Sequence, residues 1–368
     1  MEEDNLLHDI ALSLIPGVGS ITARQLISYA GSSQAVLSMR RKDLLQIPGI
    51  GETMADRILQ ANTLSRAEEE LRFIERYKIK ALTFRDSAYP ERLRQCPDAP
   101  LVLYVKGEAN LNAEHMIAVV GTRSATSYGK KMCYELIDRL TAKGYRFTVV
   151  SGLAYGIDVA AHRASLKAKQ PTIAVLGHGL SSIYPPLHAQ VAREICREGA
   201  LVTDFVSDVK AERKNFLRRN RIIAGLSEAT IVVESAEKGG ALVTADIAVS
   251  YNRDVLAFPG KATDTYSAGC NRLIRLNKAA LIASASDLEY ALGWIPEKKD
   301  NARQQALFTE PQGIEKDILD MLRTRGPMLV DELALAADIP VNKLAGILLN
   351  LELSGRVECL PGKVYQLG

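Results

Sequence analysis

From about residue 80 to 290 the chain alternates short, near-continuous apolar runs with longer stretches whose apolar residues recur at helical spacing. The runs Met116–Val120, Phe147–Val150, Thr172–Leu176, Leu201–Thr203, Thr230–Val233 and Val255–Phe258 predict strands buried on both faces. The segments between and after them predict helices over Lys130–Lys143, Ile157–Lys167, Leu187–Arg197, Arg218–Ala224 and Leu242–Tyr251. Strands alternating with helices imply an α/β fold: an extended Rossmann-like, doubly wound, mostly parallel sheet. Ligands of such sheets bind beyond the carboxyl ends of the strands, at the turns that follow them.

The flanking regions read differently. Residues 1 to about 75 form short helices with two related turns, Ile15-Pro-Gly-Val-Gly19 and Ile47-Pro-Gly-Ile-Gly51, whose prolines stand 32 residues apart. This internal duplication resembles a helix-hairpin-helix (SAM-like) module, in which amides at the next helix N-terminus point at a phosphate. Only Arg24 and Arg57 flank the turns, which favours a scaffold or protein-contact role over direct DNA contact. The stretch 296–312 is polar and predicts a linker between an α/β domain over 80–295 and a terminal domain over 313–368. There Ile314–Leu322, Val330–Ala337 and Val341–Leu353 predict three helices, and strands around Pro361-Gly362 complete a winged-helix pattern. Its third helix carries one lysine, and from residue 313 onward six bases face eight acids, which favours a protein-contact or regulatory module.

Charge changes the picture more by its distribution than by its total. The net charge is +3, yet Lys210–Arg221 holds six basic residues against the single acid Glu212, with Phe216 among them. Such a cluster suits a polyanion, and the aromatic adds a surface for bases. Five scattered cysteines, none in a Cys-x-x-Cys pair, argue against a disulfide framework or zinc knuckle and for a reducing compartment. An acidic N-terminus and the lack of a membrane-length apolar run add to the expectation of a cytoplasmic protein with no membrane partner.

Three turns after expected strands are suited to anions. Gly121-Thr122-Arg123 combines close backbone approach with hydroxyl and guanidinium donors, but it is not the Gly-x-Gly-x-x-Gly dinucleotide fingerprint. Ser151-Gly152 opens a run ending at Asp158, which complements the dipole of the following helix, and His162 is expected to be packed rather than catalytic. Gly239-Gly240 precedes a third helix, and the Phe258-Pro-Gly260 and Ser267–Asn271 loops follow the last strand. Several anion-ready turns on one sheet, beside a basic segment, favour a ligand with many phosphates.

Gly121-Thr-Arg123, Ser151-Gly-Leu-Ala-Tyr-Gly-Ile-Asp158, Ile183-Tyr-Pro185, Arg219-Asn-Arg-Ile-Ile-Ala-Gly-Leu-Ser227 and Gly269-Cys-Asn271 together resemble the DNA-processing protein A (DprA/Smf) family. The upstream Asp86-x-x-Tyr-Pro90 and Leu103-Tyr-x-x-Gly107 fit as well. The resemblance implies a dimeric, non-enzymatic single-stranded DNA binder that protects incoming strands in natural transformation and loads the RecA recombinase. It implies pairing through the α/β domain, no cofactor, no metal and no catalytic residue. Carried over by motif, Arg123 and Ser151–Gly152 would hold phosphates, Arg213, Lys214, Arg219 and Arg221 would line a groove, and Phe216 would face a base. The full expected contact set adds Gly121, Thr122, Asn220, Gly239 and Gly240. Lys214-Asn-Phe-Leu217 departs from the family's more usual Phe-Pro before Arg-Asn-Arg.

A second expectation is an enzyme, because the glycine-loop sheet also resembles nucleotide-phosphate hydrolases of the LOG type. Lys238-Gly-Gly-Ala-Leu-Val-Thr-Ala-Asp246 lacks the glutamate of their turn at the motif spacing, and only Asp158, Asp246 and Glu234 qualify as candidate acids. A third is an adaptor that works through its two terminal domains.

Overall fold

Alternate residues of Met116–Val120 enter opposite cores: Met116, Ala118 and Val120 join one apolar cluster, Ile117 and Val119 another. Both faces are therefore covered, which is why the strand reads as a continuous apolar run. Each fully buried aliphatic side chain of this kind contributes about 1.5–3 kcal/mol. The computed structural model describes residues 2–295 and 313–367 apart from Ser354 and Pro361, so the expected linker at 296–312 lies outside the described residues.

Among these residues nine strands form one sheet: β1 (Lys80–Thr83), β2 (Val102–Gly107), β3 (Met116–Val120), β4 (Thr148–Ser151), β5 (Thr172–Val175), β6 (Ala200–Thr203), β7 (Ala229–Val232), β8 (Asp254–Ala257) and β9 (Ala280–Leu281). The order is β1-β2-β6-β5-β4-β3-β7-β8-β9. The β1–β2 and β2–β6 pairs are antiparallel and the others parallel. The sheet grows from β3 first towards β6 and then, from β7, the other way. The switch point thus lies between β3 and β7, where this topology opens a crevice.

Six helices precede the sheet: α1 (Glu2–Ser13), α2 (Ser20–Ala30), α3 (Ser33–Leu37), α4 (Arg41–Leu44), α5 (Glu52–Gln60) and α6 (Leu64–Arg76). Their apolar core extends onto Val102 and Tyr104 of β2, while Leu103 and Val105 of the same strand face the sheet's own core. The period-2 alternation of a strand makes β2 the seam between hairpins and sheet. The helices within the sheet region are α7 (Glu91–Arg94), α8 (Ser127–Ala142), α9 (Ile157–Lys167), α10 (Ala189–Glu198), α11 (Arg213–Leu226), α12 (Gly240–Ser250), α13 (Ala268–Arg275) and α14 (Ala285–Leu292).

The described chain divides into two compact units, Met1–Pro296 and Glu297–Gly368, so the hairpins and the sheet share one unit. The second unit holds α15 (Ile314–Arg325), α16 (Val330–Ala336) and α17 (Val341–Leu353) with a small sheet of β10 (Met328–Leu329), β12 (Val364–Leu367) and β11 (Val357–Leu360), a winged-helix arrangement.

Two expectations need correction. Strands β1, β2 and β9 were not among the expected ones, because they sit at or near the sheet edges and two of them are exposed or half-exposed. Helix α11 starts at Arg213, five residues before the expected Arg218. Its first turns are too charged to show apolar periodicity, and tertiary contacts of Phe216 and Arg219 support them.

Candidate nucleic-acid interface

Helices α11 and α12 flank a cleft of about 530 Å³ at the carboxyl ends of the central strands. Gly121, Arg123, Ala154, Asp158, Arg213, Phe216, Leu217, Arg219, Asn220, Gly240 and Thr244 are among the residues that line it. Seven of the thirteen residues expected as contacts are therefore brought to one place, from turns and helix α11 spread across 120 positions of sequence.

Arg219 is buried, only 4 % exposed. One of its terminal nitrogens donates to the Gly152 carbonyl at 2.7 Å and to the Val175 carbonyl. It ties α11 to the ends of β4 and β5. A Cβ on Gly152 would collide with the guanidinium, so a larger residue here would have to displace the buried Arg219 side chain. Burial lowers the Arg219 pKa to about 10, against the pull of Asp158, so the group stays charged at neutral pH. Burial in turn raises the Asp158 pKa, and the Arg219 charge and the amides of Ala154 and Gly152 oppose that rise. A cation and an acid thus share the cleft floor.

The mouth is aromatic and basic. Phe216 packs over Gly177, where a Cβ would stand 2.8 Å from the ring. The Arg123 guanidinium lies 5.4 Å from the Phe216 centroid, a cation–π contact. Tyr184, 44 % exposed, stacks on the Phe216 ring at 5.6 Å and 31°. Three planar groups, two from strand-end loops and one from α11, form one platform, a surface suited to stacked bases. Arg213 and Lys214 are exposed beside it, with Lys214 paired to Glu212 at 3.0 Å.

Other expected contacts are turned elsewhere. Arg221 stands about 200° around α11 from Arg219; it pairs with Asp204 at 2.5 Å and donates to the Ser20 hydroxyl, so it is not part of the cleft wall. The Ser151 hydroxyl is buried and donates to the Val119 carbonyl at 2.6 Å. The Thr122 amide donates to the Glu234 carbonyl at 2.7 Å. Gly239 caps α12, and the Gly240 carbonyl accepts from Asn220 Nδ2 at 3.4 Å, linking α12 to α11. His162 is fully buried on Thr172 Oγ1 at 2.7 Å. Burial lowers its pKa to about 3, which keeps it neutral. Gly177 and Thr244 had no signal in the sequence, since neither belongs to a glycine pair or a charge cluster.

The chain is thus a doubly wound α/β protein with a cationic, aromatic-edged cleft at its switch point, the place where sheets of this class bind their ligands. This chain belongs to the DNA recombination-mediator protein A family, whose model matches residues 80–293. A DprA winged-helix domain matches 302–363 and a SAM-like helix-hairpin-helix tandem matches 9–61. Protein Smf of Synechocystis sp. is 33 % identical, covering 97 % of each chain. DNA processing protein DprA of Bacillus subtilis is 39 % identical over 57 % of this chain and 70 % of its own. The X-ray structure of DprA from Streptococcus pneumoniae superposes with a TM-score of 0.67 at 30 % identity, over 77 % of this chain and 97 % of that one. DNA processing protein A of Helicobacter pylori, whose structure concerns its single-stranded DNA binding mode, gives 0.52 at 26 % identity over 58 % and 95 %.

Proposed function

We propose that the chain binds single-stranded DNA across the cleft mouth. It would protect incoming strands during natural transformation and load the RecA recombinase onto them, as a homodimer paired through the α/β unit. The carrying observation is the Arg123–Phe216–Tyr184 platform, which offers ring faces to bases and cations to the backbone without a base-specific donor pattern. Stacking of this kind tolerates any sequence, as a mediator of recombination requires. The relatives named for DNA processing, and the one studied with single-stranded DNA, support the same reading. The reading calls for a cytoplasmic protein. All five cysteines carry free thiols, and no helix among the described residues is long and apolar enough to cross a membrane.

The hydrolase reading has less support, because its three candidate acids are engaged in other ways. Glu234 is buried and accepts from the Thr126 amide and hydroxyl, Asp246 is paired with Lys278 at 2.8 Å, and Asp158 shares the cleft floor with Arg219. The deciding experiment is strand exchange with recombinase on strands already covered by a single-strand-binding protein. Relief of inhibition by this protein is the expected result. No relief, together with release of base from nucleoside monophosphates, would favour the hydrolase.

A further inference from the structure

Helix α6 buries a stripe of Ala67, Glu70 and Ile74, so a carboxylate occupies the middle of an apolar face. Glu70 is 2 % exposed and accepts the Ser207 amide at 2.9 and 3.0 Å and the Ser207 hydroxyl at 2.6 Å. Arg66, one turn earlier on α6, donates to Glu70 at 2.9 Å and to Asp208 at 2.8 Å. Val206 lies in the hairpin core and Val209 packs against it. Four consecutive residues of the loop between β6 and α11 are thus gripped by the hairpin unit.

That loop leads directly into the basic segment, and it also holds the aromatic wall. The Ser181 amide donates to the Ser207 carbonyl at 3.4 Å and the Gly179 amide to the Val209 carbonyl at 2.9 Å. These two residues belong to the strand-end loop that carries Gly177, under Phe216, and Tyr184. Of the two cations that flank the hairpin turns, Arg24 is engaged within the protein, while Arg57 is exposed. Arg24 donates to the Cys96 and Pro97 carbonyls and stacks on Phe84 at 4.2 Å. The Arg57 guanidinium lies where a Cβ on Gly17 would come within 2.7 Å.

We propose that the hairpin unit is a clamp rather than a DNA-contacting module, and that Glu70, with Arg66, is a positioning residue for the cleft. By fixing Ser207 it sets the start of α11 and the Gly177–Tyr184 loop together, and so the spacing between cations and rings. This rests on the single-stranded DNA reading for its consequence, but the gripping itself does not depend on any ligand.

The test combines amide hydrogen exchange with anisotropy of a labelled oligo-dT, at two salt concentrations, on the full chain. In Glu70→Ala, amides of 204–212 and 177–184 should exchange faster while those of β3 and β4 stay protected. Affinity per folded molecule should fall about 3- to 30-fold, the range for coupling through a contact network. Glu70→Gln, which keeps an acceptor for the Ser207 amide, should recover most of both. If Glu70→Ala does not fold, Arg66→Ala, made at a partly exposed position, carries the same expectation. Unchanged exchange at 204–212, or faster exchange there with unaltered oligo-dT affinity, would overturn the clamp. If the parent protein fails to bind oligo-dT, the DNA reading fails by itself, and the exchange experiment still decides whether the hairpins hold the loop.

Discussion

Arg219 and Gly152 form a matched pair: the guanidinium donates to the Gly152 carbonyl at 2.7 Å and fills the space a Cβ would need. A turn that reads as a phosphate cradle thus also serves as the socket of a buried strut. Gly152→Ala should therefore destabilise the fold by about 1–3 kcal/mol, the usual cost of forced overpacking. Urea denaturation checks this. A change within about 0.5 kcal/mol, as at an unremarkable surface site, would mean that the strut is not held where it stands.

Arg123 and Phe216 touch each other but should fail differently. On the proposed DNA reading Arg123→Ala removes one cation from the phosphates, so the log–log salt dependence of oligo-dT binding should become shallower by about 0.7. Phe216→Ala should leave that slope unchanged and cost about 1–3 kcal/mol of binding through lost stacking. Identical salt slopes for Arg123→Ala and the parent would remove Arg123 from the interface.

Arg221 provides the contrast within the same helix. Its partner Asp204 is 7 % exposed in its side chain, so Arg221→Ala leaves a nearly buried carboxylate without its ion pair. Arg221 itself is 12 % exposed, so the loss should be about 2–4 kcal/mol, somewhat below the range for a fully buried pair. The salt slope of the folded variant should match the parent. A reduced slope at intact stability would return Arg221 to the groove.

His162 makes stability depend on pH. Its folded-state pKa is depressed to about 3 from 6.5, so the unfolded chain takes up a proton between those values and the native state does not. Stability should therefore fall as pH drops below about 6.5, by up to about 1.4 kcal/mol per unit. The His178 pKa is lowered too, chiefly by burial, and adds to the same trend. In His162→Gln the loss between pH 7 and pH 5 should be smaller than in the parent, measured by urea midpoints at both values. An equal loss would assign the slope to other groups.

The strands around the switch point were legible because a strand covered on both faces must be apolar along its whole length, as β3 is. The basic segment was legible because charge counting needs no geometry. The edge strands β1 and β9 and the first turns of α11 were not, because local pattern carries no signal where tertiary contact provides the support. Tyr184 shows the same limit in part: the sequence offers its ring and that of Tyr155 as stacking candidates, but nothing in Ile183-Tyr-Pro185 indicates that it meets Phe216, 32 positions later.

By itself, then, the sequence determined the α/β alternation, the duplicated hairpin, the winged-helix pattern and the cluster of cations with one aromatic. Tertiary structure alone decided what each cation does. Arg123 reaches the platform, Arg219 becomes a buried strut, and Arg221 turns to Asp204. The physical reason is the helical repeat: residues two apart on α11 point in nearly opposite directions, so neighbours of equal charge meet the cleft, the sheet or the hairpin unit according to angle alone.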